Sequence, residues 1–429
     1  MRTNLQLTDM RARKTVVMGQ GYVGLPLAVR AAEVGYDVIG IDVDGSRVKR
    51  LRAGESFVED VPSARLRAVL DSGRYRASAD PDDAAGFDVC VIAVPTPLSD
   101  GVPDLSHIEQ AGRTVARHVR PGCTVILEST TYPGTTEELL RPLLEDGSDL
   151  RCPGDFHLGY SPERIDPANP RWRLENTPKI VSGVDAASLQ RVRAFYGRIV
   201  ARTVPVSSPR TAELTKLLEN TFRHVNIALV NELAIFAGQL GVDVWEAVRA
   251  AATKPFGFMA FQPGPGVGGH CLPIDPSYLS WQVKRALGHR FRFVELANDV
   301  NDRMPAHVVQ RLVAGLNARR KPVNGSRLLL LGLAYKKNVG DVRSSPAVMV
   351  AKGLRELGGD VYAVEPLAAA GQLPAGVAIV DLCEAELAAA DAVVVLTDHD
   401  VFDYRLVERV GSYVFDTRDR CHGSNVERL

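Results

Sequence analysis

The segment Lys14-Thr-Val-Val-Met-Gly-Gln-Gly-Tyr-Val-Gly24 constrains the fold more than any other part of the chain. Residues 15–18 read as a buried strand, Gly19, Gly21 and Gly24 fill a Gly-x-Gly-x-x-Gly pattern around Tyr22 and Val23, and Leu25 to Val34 carries helical periodicity. The first glycine permits a tight turn, the second lets a pyrophosphate approach the backbone, and the third brings helix and strand close together. Alone the pattern is weak, but Asp37-Val-Ile-Gly-Ile-Asp42 adds a second strand ending in an acid. It lies about twenty residues on, where a carboxylate binds ribose hydroxyls. Asp42 would repel a 2′-phosphate, which favours NAD over NADP. Arg47 works against that discrimination, because a guanidinium accepts phosphate or stacks on adenine.

Three blocks follow from the patterning. Over 1–206, strands at Val89–Val94, Thr124–Glu128, His157–Tyr160 and Ile180–Ser182 alternate with helical stretches, the mark of a parallel doubly wound sheet. Ligands in such sheets sit beyond the carboxyl ends of the strands. Pro95-Thr96-Pro97, Ser129-Thr130-Thr131 and Ser161-Pro-Glu163-Arg164 are therefore the expected walls of a site. Over 207–318 the pattern turns helical. Thr211 to Ala234 reads as one long helix on which Lys216, Asn220, Arg223 and Asn231 share a side, while Leu214, Leu217, Leu218 and Ile227 mark packing sides. Such a polar stripe is either a solvated face or a functional one.

After the linker Arg319 to Ser326, block 319–429 repeats the α/β pattern, with strands at Arg327–Leu333, Asp360–Glu365, Ala392–Leu396 and Ser412–Asp416 and a helix over Pro346–Leu357. The basic turn Tyr335 to Arg343 follows its first strand at the ligand-facing edge and suits a diphosphate. The expected fold is α/β, with two Rossmann-like doubly wound domains joined by a long central helix in an all-α middle domain.

With 51 basic and 51 acidic side chains the net charge is zero, which argues against nucleic-acid or membrane-surface binding. No apolar run reaches the roughly 18 residues of a membrane span and Met1 to Arg13 lacks the apolar core of a signal peptide, so a cytoplasmic protein is expected. Six cysteines, at 90, 123, 152, 271, 383 and 421, have no paired metal spacing; free thiols and no metal site are expected.

One of these thiols stands apart. Cys271 lies in Pro265-Gly-Val-Gly-Gly-His-Cys-Leu-Pro-Ile-Asp275, where glycines at 264, 266, 268 and 269 remove side chains so that a ligand can approach the backbone. A buried cysteine is ordinarily an inert small hydrophobe. A bare loop stiffened by Pro273 and Pro276 points instead to a nucleophile.

Taken in order, Gly19–Gly24, Pro95-Thr-Pro97, Glu128 to Gly134, Ser161-Pro-Glu163, Lys216 to Asn220, Gly268-Gly-His-Cys271 with Asp275, and Lys336 to Arg343 resemble the UDP-glucose/GDP-mannose dehydrogenases over nearly the whole chain. Those enzymes oxidise the primary alcohol of a nucleotide sugar to a carboxylate. The resemblance implies Cys271 as nucleophile, Lys216 and Asn220 as oxyanion stabilisers, Asp275 as the acid organising nucleophile and water, and Glu163 and Thr130 as the groups handling water and protons in thioester hydrolysis. Arg343 is implied as a cofactor-diphosphate ligand, joining Asp42, Arg47, Pro95, Thr96, Ser129 and Thr130. Tyr335 and Lys336 are implied as sugar-nucleotide contacts, with Arg164, Arg223 and Gly268 also on the substrate side.

Two NAD per turnover, a third block that binds the nucleotide half of the substrate, and a homodimer or higher homo-oligomer cored by the central helix complete the implication. Ser161 to Pro167, Leu218 to Ala228 and Gly257 to Gly266 look most like the UDP-N-acetylglucosamine 6-dehydrogenase branch. UDP-glucose, UDP-N-acetylmannosamine and GDP-mannose are the alternative substrates. An alcohol dehydrogenase stopping at the aldehyde, and a non-catalytic NAD and nucleotide-sugar sensor, are the alternative functions.

Overall fold

The computed structural model describes residues 14–99, 101–166, 169, 171–269 and 272–429. The chain forms two compact units, 1–218 and 219–429. Each is built round a six-stranded parallel sheet.

In the first unit, β1 (Lys14–Met18), β2 (Asp37–Ile41), β3 (Tyr75–Ser78), β4 (Val89–Ile92), β7 (Thr124–Leu127) and β8 (His157–Tyr160) lie in the order β3-β2-β1-β4-β7-β8. The inner strands β2, β1, β4 and β7 are buried beyond their first residues and mostly apolar because helices cover both faces. Val17 points into a core with residues of α1 (Gly24–Glu33), α2 (Gly45–Arg52), α3 (Ser63–Asp71) and α6 (Ala186–Ile199). Val16 and Met18 point into the opposite core with α4 (Ser106–Ala116) and α5 (Arg141–Ser148). A short hairpin, β5 (Leu98–Ser99) with β6 (Val102–Pro103), follows β4. The strand read at Ile180–Ser182 is β9 (Lys179–Val181), which pairs with β10 (Thr203–Pro205) in a separate two-stranded sheet rather than joining the main one.

Helix α7 (Pro209–Gln239) runs from the first unit into the second. The second unit continues with α8 (Val244–Ala252), α9 (Asp275–Leu287) and α10 (Arg292–Ala318). Its sheet holds β11 (Arg327–Leu331), β12 (Asp360–Val364), β13 (Ala378–Ile379), β14 (Ala392–Val395), β15 (Val414–Asp416) and β16 (Val426–Arg428). Its order, β13-β12-β11-β14-β15-β16, repeats that of the first sheet. Helix α11 (Pro346–Glu356) packs Val350 and Leu354 against Met304, Val308, Leu312 and Leu316 of α10. Helices α12 (Glu384–Ala389) and α13 (Tyr404–Val410) contribute Leu387 and Val407 to a core on the other face.

The two halves match in detail where the strand order reverses. Gly19 leaves β1 at φ 88° with its amide on the Ile41 carbonyl at 2.7 Å, and Gly332 leaves β11 at φ 81° with its amide on Val364 at 3.0 Å. The acid ending the second strand recurs as well. Glu365 accepts the amides of Leu333 and Ala334 (2.7 and 2.9 Å), as Asp42 accepts that of Gln20.

Candidate active site

The turn between β1 and α1 forms a phosphate cradle. A Cβ on Gly19 would lie 2.5 Å from the Ala93 carbonyl oxygen, and one on Gly24 would lie 1.8 Å from that of Gly19, so both must be glycine for strand and helix to pack. A Cβ on Gly21 would meet nothing within 4 Å, which leaves its backbone open to an incoming group. No side chain caps the start of α1, whose preceding residue is Val23; the Leu25 amide goes to the Gly21 carbonyl and Pro26 has none, so it is chiefly the positive end of the helix dipole that attracts an anion there.

Asp42 is buried and takes the amide of Gln20 (2.7 Å), the amide of Asp44 (2.9 Å) and the guanidinium of Arg47 (2.9 Å). A carboxylate offers about four acceptor positions, so one remains for a ribose hydroxyl. Arg47 is neutralised by Asp42 and lies 5.3 Å over the Phe57 ring, so its charge is already matched by the protein's own carboxylate. Gln20, unremarked in the sequence, is fully buried. It donates to the Val17 and Gly19 carbonyls (both 3.0 Å) and accepts from Tyr75 (2.9 Å), which stiffens the turn from below.

The predicted walls lie at the carboxyl edge of this sheet. Pro95 is exposed, and Thr96 and Thr130 are half-buried. Ser129 is buried, with its hydroxyl donating to the Val94 carbonyl at 2.8 Å. The Oε1 of Glu163 accepts the amides of Arg164 (2.6 Å) and Ile165, while its buried Oε2 has no hydrogen-bond partner among the described residues. The Arg164 guanidinium donates to the Pro178 carbonyl at 2.6 Å. Behind Glu163 lies a buried pair that sequence reasoning passed over: the Lys179 ammonium bonds Glu128, and Tyr196 donates to the other Glu128 oxygen at 2.5 Å. Burial pushes the Glu128 carboxyl above the usual carboxylate range, with Lys179 opposing the shift.

Helix α7 carries Lys216 and Asn220, both buried, whereas Arg223 is exposed. Residues three apart differ by about 60° round a helix, enough to put Arg223 on the solvent side of a stripe that buries Asn220, His224 and Asn231. Leu214 and Leu218, read as packing residues, are exposed, and Leu217 is buried.

In the second unit the structure brings Asn220 and Asp275 together: the Asn220 amide donates to the carboxylate at the start of α9, and both residues are buried. His270 and Cys271 lie outside the described residues. The glycines before them also have a packing reason to be bare. A Cβ on Gly264 would strike Arg418 at 2.6 Å, on Gly266 the Asn301 carbonyl at 3.1 Å, on Gly268 the Ser344 carbonyl at 2.6 Å, and on Gly269 the Tyr335 ring at 2.7 Å. Protein atoms fill the Cβ direction of each of these glycines. Tyr335 thus braces the loop, and Lys336 is half-buried. The basic turn is paired with the protein's own carboxylates: Arg343 forms a forked bond with Asp341 of the same turn (2.6–3.1 Å), and Lys337 pairs with Asp400 beyond it at 2.6 Å.

Three domain profiles of the UDP-glucose/GDP-mannose dehydrogenase family match the chain in order: the NAD binding domain at 13–200, the central domain at 210–303 and the UDP binding domain at 329–422. The chain belongs to the UDP-glucose/GDP-mannose dehydrogenase family.

It is similar to the UDP-N-acetyl-D-mannosamine dehydrogenase of Pyrococcus horikoshii, 37% identical over 399 residues that cover 93% of this chain and 92% of the relative. The UDP-N-acetyl-D-glucosamine 6-dehydrogenase of Pseudomonas aeruginosa is 38% identical over 359 residues, covering 83% of each chain. The solved structure of the Pyrococcus horikoshii UDP-D-ManNAc dehydrogenase superposes with a TM-score of 0.87 at 34% identity, covering 97% of this chain and 99% of that one.

This nucleotide-sugar dehydrogenase is NAD-dependent. NAD fits the residues present: the open Gly21 backbone and the uncapped α1 accept a diphosphate, and Asp42 accepts a ribose hydroxyl while opposing a 2′-phosphate. In the dehydrogenase's second sheet the corresponding acid, Glu365, is occupied by the amides of Leu333, Ala334 and Leu367 and by His399, which leaves no comparable ribose acceptor there.

Proposed function

We propose that this dehydrogenase oxidises C6 of a UDP-N-acetylhexosamine, UDP-N-acetylglucosamine in the first instance, to the uronic acid in a four-electron reaction that consumes two NAD. The observation that carries the proposal is the buried Asn220–Asp275 pair, whose carboxylate stands four residues beyond Cys271 at the start of α9. The relatives described above act, by their names, on UDP-N-acetylhexosamines, which supports an N-acetylated substrate.

Bound NAD accepts the hydride at each oxidation. In this reading Cys271 adds as thiolate to the C6 aldehyde, and the resulting thiohemiacetal loses a second hydride to become a thioester. Lys216 and Asn220 stabilise the negative oxygen of the adducts, a contribution of about 3–4 kcal/mol per well-placed donor. Asp275 holds one proton of the Asn220 amide and so fixes where the other points. Glu163 takes a proton from water through Oε2, aided by Thr130, as the water oxygen attacks the thioester carbonyl. The C–S bond breaks and the thiolate of Cys271 is restored. Covalent attachment keeps the aldehyde from escaping between the two oxidations.

Binding roles follow the same proposal. Gly19 to Gly24, Asp42, Arg47, Pro95, Thr96, Ser129, Thr130 and Arg343 serve NAD; Arg164, Arg223, Gly268, Tyr335 and Lys336 serve the UDP-sugar. Arg343 is held by Asp341 and must exchange that partner to reach a diphosphate. Blocks 1–206, 207–318 and 319–429 are proposed as the cofactor, dimerisation and nucleotide domains of a cytoplasmic homo-oligomer. Exposed Phe222, Leu229, Leu233 and Phe236 on α7 support the helical block as the self-association face.

The test is purified protein with NAD and, in turn, UDP-N-acetylglucosamine, UDP-N-acetylmannosamine, UDP-glucose and GDP-mannose, with reduced cofactor and acid both quantified. Turnover of an N-acetylated UDP-sugar with two reduced cofactors per acid is expected. Turnover of UDP-glucose or GDP-mannose alone would overturn the substrate assignment, and one reduced cofactor per product would overturn the four-electron mechanism.

A further inference from the structure

The Lys179–Glu128–Tyr196 cluster is too costly an arrangement to be mere core. Lys179 is 3% exposed and Glu128 fully buried in their side chains, and taking such charges out of water costs several kcal/mol per ion unless geometry compensates. The cluster gathers the ends of three elements: Glu128 follows β7, Lys179 opens β9 and Tyr196 sits on α6. It also touches the residue proposed to activate water. The Lys179 Nζ is 3.8 Å from the Oε2 of Glu163, inside ion-pair range and beyond hydrogen-bond reach.

The donors of Lys179 explain that distance. An ammonium has three. One goes to Glu128, one to the Pro162 carbonyl at 2.9 Å, and the nitrogen lies 5.0 Å from the centre of the Tyr196 ring. Tyr196 in turn fixes the second oxygen of Glu128. The charged and titratable groups around Glu163 in this unit are therefore Glu128, Lys179, Tyr196 and Arg164, the last turned to the Pro178 carbonyl. The Oε1 of Glu163 is capped by two amides, and Oε2 keeps its lone pairs.

We infer that Lys179 is a positioning residue for Glu163, and that Glu128 and Tyr196 hold its ammonium where it balances the charge of Glu163 without capping Oε2. The inference deepens the proposed role of Glu163 in opening the thioester and rests on it for its consequence, though not for its electrostatics. Removing the ammonium leaves the Glu163 carboxylate without its counter-ion at 3.8 Å. Removing the Glu128 charge alone frees the ammonium to close on Oε2, which occupies the lone pairs that take the water proton.

The test uses the full-length protein as Lys179→Met/Glu128→Gln, which removes one positive and one negative charge together and so leaves the net charge of the interior unchanged, with Glu128→Gln and Lys179→Arg beside it. The carboxylate stretching bands of Glu163 are read by infrared difference spectra of glutamate-labelled protein against Glu163→Gln. They should shift in the double variant, which takes the ammonium away from Oε2, shift in the opposite sense in Glu128→Gln, where the ammonium closes on Oε2, and return towards wild type in Lys179→Arg.

Stopped-flow should find the first hydride transfer unchanged while thioester opening slows by about tenfold or more in the double variant. A purely structural role would depress both phases together and leave the Glu163 bands in place. Unchanged Glu163 bands in both the double variant and Glu128→Gln would overturn the inference. If the bands move but Glu163→Gln opens the thioester at the wild-type rate, the positioning stands and the catalytic role given to Glu163 fails instead.

Discussion

Two alanine substitutions one turn apart in the same glycine motif should separate packing from ligand binding. In Gly24→Ala the new methyl would lie 1.8 Å from the Gly19 carbonyl oxygen and 3.3 Å from the Val17 side chain. To reach 3.4 Å, where ordinary contact begins, helix and turn must part by about 1.6 Å. The obstacle is backbone, and α1 is locked on its far side by Leu25, Leu27, Ala28, Val29, Ala31 and Ala32, all buried, so no flexible side chain can yield. Overpacking of a well-filled core costs about 1–3 kcal/mol and more where backbone is trapped. A loss of about 3 kcal/mol is expected for Gly24→Ala, with NAD affinity reduced because the cradle itself moves. In Gly21→Ala the methyl meets no protein atom within 4 Å. Its stability should stay within about 0.5 kcal/mol of wild type, while NAD affinity falls at least tenfold because the methyl stands where the diphosphate approaches. Urea unfolding gives the first quantity and calorimetric titration with NAD the second. A Gly24→Ala protein as stable as wild type would refute the packing argument, and a Gly21→Ala protein with undiminished NAD affinity would refute the cradle.

Two further outcomes follow from buried polar groups. Glu213 on α7 is fully buried and accepts the Gly134 amide (2.6 Å), the Thr136 amide (2.9 Å) and the Thr136 hydroxyl (2.6 Å). Glu213→Ala strands these three donors at about 1–3 kcal/mol each, so unfolding free energy should drop by roughly 3–9 kcal/mol; a loss below about 1 kcal/mol would count against the network. His224 is buried beside Asn298 (2.7 Å), and burial lowers its pKa from the ordinary 6.5. A depressed folded value means that the unfolded chain binds the proton more readily. The contribution of His224 is thus present above 6.5 and lost as the pH falls from there through the lower folded value. Urea midpoints at several pH values should fall more steeply on acidification in wild type than in His224→Gln, and equal slopes would refute the assignment.

Much of the fold was legible because parallel strands covered on both faces must be continuously apolar, as at Val89 to Ile92 and Leu328 to Leu331. Strands without that signature escaped: β3 is Tyr-Arg-Ala-Ser with an exposed arginine, and β13 pairs only two residues. The glycine motif and Asp42 were readable because their spacing encodes a local geometry. For the glycines before Cys271, composition could not show that room is needed for the Tyr335 ring and the Ser344 carbonyl. Arg223 was misplaced because the buried stripe of α7 is narrower than the set of residues three and four apart. The Glu128–Lys179 pair was invisible for a different reason. Its members are 51 residues apart, and only the topology reveals that two charged side chains share one dry site.

The central claim is that oxidation passes through a covalent bond to Cys271. Rapid-quench mass spectrometry of the protein turning over NAD and UDP-N-acetylglucosamine tests it most directly. A population heavier by the acyl UDP-sugar, mapped to the Cys271 peptide and absent from Cys271→Ser, which should release no acid, is the predicted result. Acid formed by Cys271→Ser at the wild-type rate, with no adduct in either protein, would contradict the account.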